Sequence, residues 1–364
     1  RNMKVGTFDT LSDSFVNNVN NCLSIHSRRQ SNHINTVNNV NEQSNQRWSG
    51  KEIDRLYKLL KLDDLTHLDA EQINQIKSLV TEFKQIFSES DDDIGCTNLM
   101  EQTIVLDTHV PIRAKYRNIP LAHRQAAERE VQRLLDLGVI QHSESPYHSP
   151  SFLMKKPGSD SYRILTDFRM LNKHVIRSYQ SVPSVEMMSS CWKGCKLYSK
   201  MDFVKGFYQC NLTPESMKYT ATCIPGVAFF EYRKSPLGLS SSPGFFQSLV
   251  ERMMMGLKSS IVVCYLDDLL SGSSSFSGML SNLRKIFLRI LDSKMLLSPK
   301  KVELFKTKLN FLGVTLSEAG ISVCEDAIQK MLPPKNTKGI KTFLGMTGFF
   351  RKFLKDYAKI AAPL

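Results

Sequence analysis

Apolar residues recur three and four apart in "IDRLYKLLKL" (53–62) and "LDAEQINQIKSLVTEFKQIF" (68–87), the spacing of helices with one buried face. The same period returns in "LAHRQAAEREVQRLLDLGVIQ" (121–141), where Gly138 closes the helix. Further on, the pattern shortens. "SFLMKK" and "SYRILTDF" flank the turn "PGSD" and predict a hairpin, and "KLYSKMDF" (196–203) predicts a strand. "SPGFFQSLVERMMMGL" (242–257) is helical, and "IVVCYLDDLLSG" (261–272) predicts two short strands around a tight acidic turn. After Gly313, "CEDAIQKMLPP" and "KGIKTFLGMTGFFRKFLKDYAKI" predict a small helical section. Strands and helices interleave without a regular βαβ rhythm, so the fold class expected is α+β rather than a doubly wound sheet.

Length and composition add scale. At 364 residues and 41% hydrophobic, the chain can bury a sizeable core. Residues 1–50 hold eleven asparagines and no periodic apolar pattern, as expected of a disordered leader or linker. Residues 51–97 predict a helical, net acidic linker segment that ends on the boundary loop "SESDDDIG" (88–95). No apolar run spans a bilayer and no signal core opens the chain, so an intracellular protein without a membrane partner is expected. An N-terminal Arg suggests a piece cut from a longer polyprotein. Eight scattered cysteines, with no CxxC, read as reduced and mostly buried thiols.

Charge narrows the partners. Lys and Arg number 48 against 35 acidic residues, which favours an anionic partner such as nucleic acid. The excess is concentrated at the C-terminal end, where residues 300–364 hold twelve Lys/Arg against five Asp/Glu.

Against that basic background stand three aspartates. Asp202 ends the strand "KLYSKMDF", and 65 residues later comes the pair Asp267-Asp268. Singly, each reads as a turn or cap residue in water. Together at neighbouring strand ends, with nothing basic in the immediate sequence to neutralise them, they call for a divalent cation. Hard oxygen ligands favour Mg²⁺, and two such ions can activate a 3′-hydroxyl and stabilise a leaving oxygen. Lys156 and Arg163 stand on opposite arms of the "PGSD" hairpin, where two cations can clamp a triphosphate or simply face solvent. Phe207, five residues after Asp202, reads from pattern alone as core.

From about Ile104 to Leu364, about 70% of the chain, these stretches resemble the reverse transcriptases of gypsy-like long-terminal-repeat retrotransposons and retroviruses. The blocks that carry the resemblance occur in the family's order: "LLDLGVIQHSESPYHSP", "KKPGSDSYRILTDFRMLNK", "YSKMDFVKGFYQ", "SPLGLSSSPGFFQ", "YLDD", "PKKVELFKTKLNFLGVTL" and "IKTFLGMTGFFRKFLKDYAKIAAPL". By this resemblance Asp202, Asp267 and Asp268 match the metal-binding catalytic triad, for two Mg²⁺ ions with Mn²⁺ as a substitute. Lys156 and Arg163 match finger residues that hold the incoming triphosphate. Phe207 matches the aromatic that collides with a ribose 2′-hydroxyl, and Lys301 the lysine that protonates pyrophosphate. Tyr265 matches a contact to the primer end, Phe311-Leu312-Gly313 the primer grip, and Arg169 and Asn172 the template path. Where retroviral enzymes carry Gln, this chain has Leu237, the apolar choice of the gypsy-like branch, which lines the pocket without a polar contact.

The resemblance implies a right-hand polymerase, with fingers and palm over 98–313 and a helical thumb from 314 to 364. Its implied partners are an RNA template, a DNA primer and dNTPs, with protease, RNase H and integrase domains in the parent polyprotein. Its implied place is the cytoplasmic virus-like particle, with DNA later reaching the nucleus. The alternative from another class is a polymerase-like module that binds nucleic acid without catalysis. An RNA-copying RNA polymerase is disfavoured by Phe207.

Overall fold

A computed structural model describes residues 47–155, 158, 161–177, 191, 192, 194–325, 329, 331 and 333–364. The chain divides into two units, Arg1–Lys51 and Glu52–Leu364. The Asn-rich stretch to residue 46 lies outside the described residues, and the second unit carries the architecture that follows.

Helices α1 (Lys51–Leu59) and α2 (Ala70–Glu82) open the described chain. A capping box starts α2: the Asp69 carboxylate accepts from the Gln72 N–H, and the Gln72 side chain accepts from the Asp69 N–H. Helix α3 (Arg124–Asp136) and strands β1 (Ile140–His142), β2 (Ser149–Lys155) and β3 (Tyr162–Thr166) follow, then β4 (Leu197–Asp202). A single-turn helix α4 (Pro214–Met217) leads to β5 (Thr222–Ile224), β6 (Ala228–Tyr232) and α5 (Ser242–Met253). The rest comprises β7 (Val263–Tyr265), β8 (Asp268–Ser273), α6 (Phe276–Ser293), β9 (Glu303–Lys306), β10 (Lys308–Phe311), β11 (Val314–Ser317), β12 (Gly320–Val323), α7 (Thr337–Phe349) and α8 (Tyr357–Ala361).

Three sheets result, in the orders β1-β6-β5-β2-β3, β7-β8-β4-β9 and β10-β11-β12. The first packs its apolar face on α3, through Ile164, Phe230 and Tyr232 against Ala127, Val131 and Leu134. In the second, alternation sorts β4 cleanly. Leu197, Ser199 and Met201 point one way, and the Ser199 hydroxyl reaches Met279 of α6. Tyr198, Lys200 and Asp202 therefore point the other way, onto the face that also carries Leu270 and Asp268 of β8. This opposite face holds the chemistry.

Two sequence expectations are corrected here. The section after Gly313 does not begin as helix: Val314–Ser317 alternates buried and half-buried residues and pairs on both sides, as a strand must. Nor is the 51–97 segment a detached linker. Phe83 and Phe87 set their rings at 5.7 and 5.8 Å from Phe287 of α6, and Leu297 exchanges backbone hydrogen bonds with Ile86 and Ser88. Burying Phe87 and Phe287 completely stabilises this docking by roughly 2–3 kcal/mol per ring. Among the described residues, no helix is long and apolar enough to cross a membrane.

Candidate active site

The hairpin β7–β8 is closed by two residues, Leu266 and Asp267, since Tyr265 and Asp268 are register partners. A two-residue hairpin turn demands left-handed backbone, and Leu266 supplies it at φ 50°, a conformation that costs a leucine more than a glycine. What holds the turn is Gln247, fully buried on α5. Its amide donates to the Cys264 carbonyl (3.1 Å) and accepts from the Leu266 N–H (2.8 Å). The tip that carries Asp267 is thus pinned from behind by a side chain, where water would be excluded.

Across the ladder, Asp202 and Asp268 are direct register partners. Like charges so placed repel, and two lysines offset them. Lys200 Nζ lies 3.2 Å from Asp268 Oδ1, and Lys301 Nζ lies 3.0 and 3.3 Å from the two oxygens of Asp202. Lys301 arrives there because the Ser298 N–H donates to the Asp202 carbonyl and the Lys301 N–H turns back to Ser298. Its neighbour Lys300 points instead to Asp91 (3.1 Å). The expectation that nothing basic stands near the triad is therefore corrected by Lys200. It sits two residues before Asp202, a spacing that puts both side chains on one face of a strand.

The lysines do not cancel the cost of burial. Burial, then the charges of Asp202 and Asp268, push the Asp267 carboxyl up to about 6, with Lys301 pulling partly back. Burial likewise raises Asp202, against the lowering effect of Lys301. Asp267 Oδ1 and Asp268 Oδ1 are buried with no hydrogen-bond partner. Lys200 is at ion-pair distance from the second but not aligned to donate. Two orphaned carboxylate oxygens on an all-carboxylate donor set fit a hard divalent cation. Among the described residues, no three His, Cys, Asp or Glu side chains already stand in metal-holding geometry.

A cleft of about 1040 Å³ opens beside the triad, lined among others by Arg163, Phe207, Leu237, Asp202, Asp267 and Lys301. Phe207 rides on the short turn Gly206–Gln209, its ring edge-on to Phe246 at 5.3 Å. Gly206 is needed there, since a Cβ would come within 2.9 Å of Phe246. Gln209 ties the turn down: its buried amide donates to the Val204 and Leu296 carbonyls and accepts from the Leu296 N–H. Phe207 is half-buried and faces the cleft, so it is not simply core. Leu237 is exposed, on a loop that Asn172 fastens by donating to the Gly238 carbonyl and accepting from the Ser240 N–H. Arg169 lies on the surface in a two-bond pair with Asp167, whose carboxyl it holds below the usual range. Lys156 lies outside the described residues.

Tyr265 and Phe311 meet edge to face at 5.5 Å, which joins the acidic hairpin to the turn Phe311-Leu312-Gly313. Leu312 and Gly313 both have positive φ, and Gly313 is packed closely by Phe350. Lys200 also lies 5.6 Å from the Phe311 ring centre, so one ammonium links Asp268 to this turn. Lys200, Gln209 and Gln247 are the functional residues that sequence reasoning missed. Only Lys200 had a local signal.

Residues 154–316 match the family "Reverse transcriptase (RNA-dependent DNA polymerase)". The Pol polyprotein of transposon 297 from Drosophila melanogaster is 30% identical over 307 residues, 82% of this chain and 29% of its own length. That of transposon opus, from the same organism, is 30% identical over 297 residues, 79% of this chain and again 29% of its own length. The chain thus spans less than a third of these relatives. Among solved structures, a foamy viral protease-reverse transcriptase in complex with RNA/DNA hybrid superposes with a TM-score of 0.74 at 22% identity, over 85% of this chain and 42% of that one. The fold is α+β, of the reverse transcriptase polymerase kind.

Proposed function

With a reverse transcriptase domain over residues 154–316, similar to those of retrotransposon Pol polyproteins, the chain supports one reading best: we propose that it extends a DNA primer with dNTPs on an RNA or DNA template. The observation that carries this is the buried, hydrogen-bond-deficient aspartate set at the mouth of a cleft that also presents Arg163 and Phe207.

Asp202, Asp267 and Asp268 would hold divalent metal, Mg²⁺ by preference and Mn²⁺ as a substitute. Two such ions supply a lowered pKa at the attacking 3′-hydroxyl and charge stabilisation at the leaving oxygen. The protein's own side chains do the rest. Arg163 offers a fork of donors to the triphosphate, joined by Lys156. Phe207, rigid against Phe246, occupies the volume a ribose 2′-hydroxyl needs, so deoxynucleotides are preferred. Leu237 packs on the nucleotide without a hydrogen bond. Lys301 Nζ, held at Asp202, is the proton donor for the departing pyrophosphate. Tyr265 and the Phe311-Leu312-Gly313 turn, locked together, position the primer end. Arg169 faces the template path, and Asn172 acts there through the Leu237 loop it fastens.

The basic C-terminal segment would grip phosphate backbones, so binding should be sequence-blind and weaken steeply with salt. Protease, RNase H and integrase belong to the parent polyprotein in this reading, and copying takes place in cytoplasmic virus-like particles. Primer extension on an RNA template with dNTPs and Mg²⁺ is the test. Extension is expected; a chain that binds primer–template yet never extends it would instead be the non-catalytic binding module.

A further inference from the structure

The acidic run "SESDDDIG" is not used by the chemistry above, yet it reaches the same cleft. Asp92 Oδ1 lies 2.5 Å from Arg133 Nη1 and 2.7 Å from Lys205 Nζ. Asp91 Oδ1 lies 3.1 Å from Lys300 Nζ. The three cations come from three elements: α3, the turn after β4, and the loop between α6 and β9. All three line the cleft that holds Asp202 and Asp267.

The loop is anchored at its ends and loose at its tip. Ser88 and Thr97 donate backbone hydrogen bonds to Leu297 and Gln209, both next to the site. Gly95 permits this approach, because a Cβ there would come within 2.4 Å of Gln209 Oε1. The tip, Glu89–Asp92, is exposed and turns on itself, with the Glu89 N–H bonded to the Asp93 carboxylate. Arg133 is gripped from its other side by Glu130 at 2.6 and 2.8 Å, so it stays aimed at the cleft when Asp92 is absent.

We propose that Arg133, Lys205 and Lys300 form a polyphosphate subsite, and that Asp91 and Asp92 occupy it as an intramolecular phosphate mimic until the triphosphate of an incoming nucleotide, or departing pyrophosphate, displaces them. The proposal rests on the reading of this cleft as the nucleotide site. Its logic is competition. Exposed carboxylate pairs are individually weak and salt-screened, hence replaceable. A polyphosphate brings several charges on one rigid chain and can satisfy all three cations at once, which two separate carboxylates do less well. Arg and Lys at this spacing without the loop would be a standing trap for any polyanion; with it, only a ligand with several phosphates wins.

The test measures binding of inorganic tripolyphosphate to the whole chain by calorimetry, without metal or primer. The double variant Asp91→Asn/Asp92→Asn is expected to bind roughly three- to tenfold tighter than wild type at low salt, with the gap closing near molar salt. Unchanged or weaker binding by a folded double variant overturns the proposal. Should that variant fail to fold, Lys300→Gln, on an exposed side chain, decides alone: about threefold or more weaker binding supports the subsite, and no change removes it. Primer extension is scored separately. Tighter tripolyphosphate binding by a chain that never extends primers sinks the polymerase reading but keeps the subsite. Extension by wild type with no gain in the double variant sinks the subsite alone.

Discussion

Two pairs of adjacent aspartates face one cleft, and their surroundings make them opposites. Asp267-Asp268 sits on a strained two-residue turn, half-buried, with one oxygen of each carboxylate lacking a hydrogen bond. Asp91-Asp92 sits on an exposed loop, with cations at 2.5, 2.7 and 3.1 Å. The dipeptide is the same, so the difference lies in what the fold withholds. The buried pair is denied water and given too little positive charge, which leaves it short of a ligand. The exposed pair has both and needs nothing more. Chemistry follows the unsatisfied pair.

The comparison breaks most visibly in catalysis. Asp267→Asn removes one charged oxygen from the deficient set and should lower primer extension by about 10³-fold or more, while duplex binding through the basic surfaces persists. Extension within a few-fold of wild type would strip Asp267 of its role as a metal ligand.

Next comes the support of that turn. Gln247→Ala leaves the Leu266 N–H and the Cys264 carbonyl buried without partners and opens a void behind the hairpin. A loss of about 2–3 kcal/mol in denaturant unfolding is expected, with extension falling as well because Asp267 is no longer aimed. No equivalent exists for the outer loop, whose tip has no buried side chain behind it.

How far the sequence revealed this follows the same division. The aspartates, both hairpins and α5 were legible, because period-two alternation and turn residues are local signals. The direct opposition of Asp202 and Asp268 was not, since a ladder between strands some 65 residues apart is set by tertiary packing. Lys200 was readable in principle from its i, i+2 relation to Asp202, but its charge hid inside a strand pattern that looked apolar. Val314–Ser317 was passed over as helix because the basic helical stretch beyond it dominates the period. The net acidity of 51–97 suggested a solvated linker, and obscured an apolar stripe ending in Phe83 and Phe87 that docks on α6. Lys156 and the leader to residue 46 lie outside the described residues.

The last two predictions set identical substitutions in the two pairs against each other, with stability as the readout and a chelator present. Asp267 is raised to about 6 in the folded chain from an ordinary 3.8. Between those values the folded state binds more protons than the unfolded one, so stability falls as pH rises through that window and stays reduced above it. Asp267→Asn escapes this loss. It should match wild type near pH 4 and exceed it above pH 6 by about 1–2 kcal/mol, a figure discounted for the solvent that still reaches the group. Asp92→Asn should do the reverse and less. It gives up two exposed ion pairs, so a loss below about 1 kcal/mol is expected at low salt, fading as salt is added. Urea unfolding of both variants at pH 4 and 7.5 reads the contrast directly. If Asp267→Asn destabilises at the higher pH, the strain assigned to the buried pair is absent, and its shortage of partners is met by contacts the geometry does not contain.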